Sequence, residues 1–321
     1  MSAFAVGRAS SHGPGTGGGD ERVAHAARLL GERARQGEPL GPRTTYRVGG
    51  AAALFVEIED EAGLDAVVGA VATSGVDVLV MGNGSNMLVA DDGFHGLVVV
   101  LGEACASVET VPGEALAIAG GACAFPVLAR KASAAGLSGL EWAVGIPGTV
   151  GGAVRMNAGG HGASTGERLL STRIVDLATG ADRLVRASEL GLGYRRSHVG
   201  AHEIVVGATF RCAPGDPEQS AAEIAAIVRW RREHQPGGRN AGSVFTNPPG
   251  DSAGRLVEMA GMKGHRLGSA EVSPRHANFI QVDAGGSAGD VLRLLELVRA
   301  EVARRTGVVL ETEMRIVGAA R

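Results

Sequence analysis

Lysine is nearly absent from this chain: Lys131 and Lys263 are the only two, and arginine supplies the remaining side-chain cations. A run such as Arg229, Arg231 and Arg232 therefore reflects a compositional habit as readily as a polyanion site. The formal net charge of -3 provides no overall field to draw in nucleic acid or an anionic membrane, and neither is an expected partner. Trp230, inside that run, reads as the buried side of a helix rather than a base-stacking platform. Cysteine is scarce as well. Cys105, Cys123 and Cys212 are odd in number, far apart and without a Cys-x-x-Cys pair, which excludes a disulfide framework or a zinc ribbon. No stretch approaches the ~18 uninterrupted apolar residues of a membrane span, and the N-terminus lacks the basic and apolar segments of a secretory leader. A cytoplasmic location is expected. Tandem repeats of the solenoid kind are missing too.

Glycine, by contrast, is abundant. The 51 glycines among 321 residues are roughly twice the usual share of about 7%, and they follow no Gly-X-Y period. They point to many tight turns and to places where backbone must approach something closely. The length exceeds the ~100–200 residues of one domain, so two or three units are expected. Residues 1–20 carry almost no large apolar side chains and are expected to be a disordered tail. A short amphipathic helix is predicted over 20–36. Strands follow over 54–58, 76–81, 96–101 and 115–119, alternating with helices over 64–73 and 125–135, an α/β rhythm. A Pro-Gly-Asp-Pro linker at 214–217 precedes a helix over 220–232. The clearest helix covers 288–306, with Ser287 as N-cap and Gly307 as its stop.

Two segments carry chemistry. Residues 78–88 read VLVMGNGSNML, an apolar strand breaking into Gly82, Asn83, Gly84, Ser85 and Asn86. Such a turn is either a phosphate cradle or a plain Gly-Asn turn. It is not the dinucleotide fingerprint, since Met87 stands at the third glycine, and it lacks the Gly-Lys-Ser/Thr ending of a P-loop. The second segment, 136–162, holds nine glycines in apolar surroundings, which suits a backbone pressed against a flat or phosphorylated cofactor or a set of bulges in a small barrel. Single residues are less telling. Arg195 follows a tyrosine at a predicted strand end, where its fork suits a carboxylate or a surface ion pair. Ser243 lacks the esterase elbow and reads as a turn or capping serine. Glu311, Glu313 and Arg315 share one face of a predicted strand by period 2. His198, His202 and Glu203 mimic a metal triad, but Gly200 interrupts them and β-like sequence follows, so no metal is expected.

Thr44, Thr45, Gly49 and Gly50, then the two glycine segments, then Gly193-Tyr194-Arg195-x-Ser197, Ala241-Gly242-Ser243-x-Phe245-x-Asn247-Pro248, Gly261-x-x-Gly264, His276-Ala277-Asn278-Phe279 and Leu310-Glu311-x-Glu313-x-Arg315 stand in one order. Together they resemble the UDP-N-acetylenolpyruvoylglucosamine reductase family over roughly 38–318. The resemblance implies an α+β fold: an FAD-binding domain of the vanillyl-alcohol oxidase type in two α/β subdomains over 21–213, split near 101–115, and a C-terminal α+β substrate-binding domain over 214–321. It implies FAD as cofactor, NADPH as cosubstrate, a nucleotide-sugar substrate and a monomer. The family's cofactor contacts carry over to Gly82, Asn83, Gly84, Ser85, Asn86, Met87, Pro147, Gly148, Gly152, Ala153, Arg155, Asn157 and Arg315. Its catalytic positions are Arg195 and Glu313, which stabilise an enolate-like intermediate, and Ser243, which protonates C2 after hydride reaches C3. Asn247 is implied to contact substrate. His234 stands where the family has a lysine, which leaves the diphosphate contact to His234, Arg231 or Arg239. The short connection between Ala213 and Ser243 matches the subclass without a tyrosine loop. An FAD-linked oxidase on the same scaffold explains the glycine segments but not the later blocks.

Overall fold

The computed structural model describes residues 16–318. Of the tail expected over 1–20, residues 1–15 lie outside the described residues, and 16–20 are helical. Helix α1, Thr16–Leu30, starts and ends earlier than the predicted 20–36. Gly31 turns the backbone to a φ of 55°, and the residues beyond it are drawn into strand β1, Ala34–Pro39, by antiparallel pairing with β2, Ala51–Ile58. Helix α2, Glu61–Ser74, begins at Asp60, whose side chain accepts from the Gly63 N–H, and ends at Gly75 with a left-handed φ of 63°. Strands β3, Val78–Val80, β4, Met87–Val89, and β5, Phe94–Leu101, complete this unit. Its sheet has the order β1-β2-β5-β3, with β2, β5 and β3 parallel. A sheet covered on both faces demands continuous apolar runs. Accordingly Leu97 and Val99 join the cluster containing α2 residues such as Leu64 and Val67, while Val98 and Val100 join Phe55, Leu79 and Met81 on the other side.

The second unit contains β6, Val108–Val111, β7, Leu116–Gly120, α3, Phe125–Ala134, α4, Val150–Met156, β8, Leu169–Asp176, β9, Asp182–Arg186, and β10, Glu203–Arg211. Its sheet runs β9-β8-β10-β7-β6 and is antiparallel throughout. Helix α5, Pro217–His234, was expected with the C-terminal unit. Its buried Ile224 and Ile227 instead enter the core of the second unit beside Phe125, Leu128 and Trp142.

The remaining unit places α6, Ala253–Met259, against the antiparallel strands β11, Arg266–Leu267, β12, Ala270–Val272, and β13, Ile280–Val282, and helix α7, Ala288–Thr306. Helix α7 occupies the predicted span: the Ser287 hydroxyl accepts from the Asp290 N–H and Gly307 ends the helix at a φ of 73°. Beyond it, the predicted strand carrying Glu311, Glu313 and Arg315 on one face is not formed. Among the described residues, Thr312 alone makes a bridge, to Phe245, before the short strand β14, Arg315–Val317. Glu311 is exposed and Glu313 turns inward.

Strand β14 pairs in parallel with β4, placing Arg315 opposite Met87 and Val317 opposite Val89. The chain's end thus returns to the edge of its first glycine turn. Gly49 and Gly50 pack beneath this junction, where an added Cβ would lie 2.4 Å from the Val89 carbonyl oxygen and 2.3 Å from that of Asp91 respectively. Asp91 is the second fastening. Its two carboxylate oxygens accept from the Ala288 and Gly289 N–H groups at 2.9 Å each, capping α7 from the first unit. Asp91→Ala is therefore expected to lower stability by about 1–2 kcal/mol, read as a fall in the thermal midpoint. An unchanged midpoint would show that this fastening is not structural.

Candidate active site

The turn after β3 is built so that its amides stay free. Among the described residues, none of the N–H groups of Gly82, Asn83, Gly84, Ser85 and Asn86 meets an acceptor, while the carbonyls of Gly84 and Asn86 accept from the Thr45 and Arg315 amides. Gly84 holds a φ of 57°, and a Cβ there would stand 2.6 Å from the Arg43 carbonyl oxygen, so only glycine serves. All five residues line a cavity of about 260 Å³, together with Pro147, Gly148, Gly152, Ala153, Arg155, Ser243, Glu313 and Arg315. Ser85 ties the turn to the second glycine segment by donating its hydroxyl to the Pro147 carbonyl at 3.1 Å. A second cavity, about 680 Å³, opens between the two sheets and shares Gly82, Asn83, Thr149, Gly152 and Arg155 with the first.

Glu313 and Arg195 meet in the smaller cavity. Arg195 Nε lies 2.8 Å from Glu313 Oε1, although its N–H does not point along that line and stays without a hydrogen bond. Arg195 is not at a strand end. It sits in a tight turn closed by paired bonds between Gly193 and Arg196, with a left-handed φ of 54° that non-glycine residues seldom adopt. Asn157 holds this turn from below, donating from Nδ2 to the Gly193 carbonyl at 2.9 Å and accepting at Oδ1 from the Gly166 N–H at 2.8 Å. Both polar ends of Asn157 are thus engaged by protein. It supports Arg195 where a cofactor contact was expected.

Three further guanidinium groups face the same space. Arg155, Arg231 and Arg315 are each pulled below their ordinary basicity by burial, and Arg155 adds to the effect on Arg315. Arg155 donates to the Val199 and Gly200 carbonyls, and Arg231 uses Nε on Gln235 Oε1 at 2.7 Å. None of the three forms an ion pair among the described residues. Half-buried cations without an ion-pair partner, Arg155 offset only by the field of Glu203, suit an anionic guest. Free turn amides, uncompensated arginines and two adjoining cavities fit a long dinucleotide with its diphosphate near Gly82–Asn86.

Two expected substrate residues do not join this wall. His234 is exposed, stacked on Trp230 with ring centroids 4.6 Å apart, its Nδ1 2.8 Å from the Trp230 carbonyl oxygen. Trp230 is correspondingly 44% exposed rather than buried, and the His161 ring meets it edge-on at 5.2 Å. Asn247 is exposed and accepts from the Ala253 N–H at 3.0 Å, holding the start of α6. Arg231 occupies the cavity instead. It is one of the two arginines the sequence offered beside His234 for the diphosphate contact, and its place on α5 turns it inward where His234 faces out.

Residues 52–184 match the family described as FAD binding domain, and residues 233–317 the one described as UDP-N-acetylenolpyruvoylglucosamine reductase, C-terminal domain. The UDP-N-acetylenolpyruvoylglucosamine reductase of Rubrobacter xylanophilus is 44% identical over 283 residues, covering 88% of this chain and 94% of that protein. The chain belongs to the UDP-N-acetylenolpyruvoylglucosamine reductase family. Its counterpart in an Anaeromyxobacter species is 44% identical over 307 residues, covering 95% and 94% of the two chains. The crystal structure of the Thermus caldophilus reductase matches with a TM-score of 0.77 at 34% identity, over 88% of this chain and 99% of that one. The α+β fold with an FAD-binding domain stands, and the protein is an FAD-containing oxidoreductase.

In this reductase, burial pushes the Glu313 carboxyl above its ordinary range, against the lowering pull of Arg195. The folded state then holds the proton more tightly than the unfolded chain does. The stabilisation from this group is present below the ordinary carboxylate range and is lost as pH rises through the raised folded value. Replacing Arg195 with Met removes the cation that favours ionised Glu313, so the Glu313 titration is expected to move further up in pH. Carbon-13 NMR of labelled glutamate follows it directly, and a downward move would contradict this account of the pair.

Proposed function

We propose that this reductase converts UDP-N-acetylglucosamine enolpyruvate to UDP-N-acetylmuramate in peptidoglycan precursor synthesis, with NADPH as electron donor, acting in the cytoplasm as a monomer. The observation that carries this reading is the meeting of Ser243, Arg195 and Glu313 in the cavity that the Gly82–Asn86 turn also lines. FAD, which the Gly82–Asn86 turn with Arg155 and Arg315 would hold, would supply the redox chemistry that links NADPH as electron donor to hydride addition at C3 of the enolpyruvyl group. The chain's own residues then manage charge and proton. Arg195 faces the negative charge that builds on C2 and its carboxylate, a preorganised electrostatic role. Glu313 helps in its protonated form, donating a hydrogen bond, and its raised affinity for the proton supports that state. Ser243 gives its hydroxyl proton to C2, which completes addition of one hydride and one proton across the double bond. A hydroxyl is a weak acid, but the carbanion is a strong base, so transfer needs only held geometry. Arg231, rather than the outward His234, supplies charge for the substrate diphosphate.

Purified protein should be yellow, lose that colour with anaerobic NADPH and regain it with the enolpyruvyl nucleotide sugar. Rapid recovery with oxygen and none with the sugar would favour an oxidase. Ser243→Ala is expected to leave bleaching by NADPH close to wild type and to slow recovery with the sugar by about 10²–10⁴-fold, measured by stopped-flow absorbance. Equal slowing of both steps would make Ser243 structural and remove the proton donor from this scheme.

A further inference from the structure

We propose that Asn278 is a positioning residue for Ser243, a role that rests on the reading of Ser243 as proton donor. Ser243 leads into Val244 and Phe245, which lie between two other segments. On one side, the Val244 carbonyl accepts from the Glu313 N–H and the Thr246 N–H donates to the Glu311 carbonyl, both at 2.9 Å. On the other side no strand is available among the described residues. Asn278 replaces one. Its backbone carbonyl accepts from the Val244 N–H at 2.8 Å, its Oδ1 accepts from the Phe245 N–H at 3.1 Å, and its Nδ2 donates to the Phe245 carbonyl at 2.8 Å.

A primary amide carries one acceptor and a donor group in a fixed plane, much like a peptide unit, and here both ends serve a single residue. The orientation of the amide is unambiguous, because the Phe245 N–H needs oxygen and the Phe245 carbonyl needs nitrogen. Phe245 is 1% exposed and Asn278 3%, so no water replaces either bond. The same clamp links the two catalytic elements: Val244 is bonded to Asn278 through its N–H and to Glu313 through its carbonyl. Asn278 thereby sets where Ser243 stands relative to Glu313, without itself lining the cavity.

The test uses the flavin-loaded enzyme and the variants Asn278→Ala and Asn278→Asp, with Ser243→Ala as reference. Both Asn278 variants are expected to retain flavin and to be reduced by NADPH near the wild-type rate. Reoxidation by the enolpyruvyl sugar is expected to slow by about a hundredfold, the scale of a small misplacement of a reacting group. The aspartate variant adds a readout that general destabilisation does not produce. Its carboxylate, when ionised, accepts from the Phe245 N–H but cannot donate, whereas the neutral acid does both. The reoxidation rate of that variant, relative to wild type at each pH, should therefore recover as pH falls, while the alanine variant shows no such recovery. The proposal is overturned by unaffected reoxidation, by equal slowing of both half-reactions, by matching pH profiles for the two variants, or by loss of flavin from both. Wild-type enzyme whose flavin the sugar cannot reoxidise overturns the functional reading first, and this one with it.

Discussion

The parallel pairing of Arg315–Val317 with Met87–Val89 is the contact on which the rest of the site depends. It joins residues more than two hundred positions apart, and each of its partners is short. What makes it possible is close backbone approach: Gly49 and Gly50 leave no side chain between the segment they occupy and the stretch from Val89 to Asp91. The pairing then serves both ends of the chemistry. The Arg315 N–H donates to the Asn86 carbonyl, and Asn86 Nδ2 donates to the Glu313 carbonyl at 3.1 Å. The turn that offers free amides and the segment that offers a carboxylate are thereby held at a single distance.

Around that junction the charge is unbalanced. Among the described residues, Arg155, Arg231 and Arg315 have no ion-pair partners, and Arg195 shares the one carboxylate that lines the smaller cavity. In a protein with a slightly negative overall charge, this is a local concentration of half-buried cations that suits anionic ligands. A dinucleotide diphosphate and an enolpyruvyl nucleotide sugar bring that charge. The inward carboxylate is the exception, and burial answers it by favouring the proton on Glu313.

Much of the scaffold was legible from local rules. Helix α7 has the residues expected of it because its apolar spacing, serine cap and terminal glycine all agree. The helix before β1 was misplaced at both ends, and at its C-terminal end strand pairing with β2 overrode an alanine-rich periodicity. The period-2 face of Glu311, Glu313 and Arg315 also failed, because the segment divides its pairing, Thr312 bridging Phe245 and Arg315 pairing with Met87. Asn157 was implied as a cofactor contact by the family resemblance. Its left-handed φ of 40° at the end of α4 is a conformation asparagine tolerates, and its amide is taken up in supporting the Arg195 turn.

Sequence by itself determined the family and the kind of cofactor, because ordered blocks and glycine positions record where backbone must bend or come close. It also named Arg195, Ser243 and Glu313. Tertiary structure alone decided which polar groups remain free. His234 turned outward onto Trp230, Asn247 was taken by α6, and Asn278 was drawn inward to complete a missing strand. The physical reason is that a side chain's availability depends on whether a partner from a distant segment reaches it first, and spacing along the chain carries no record of that competition.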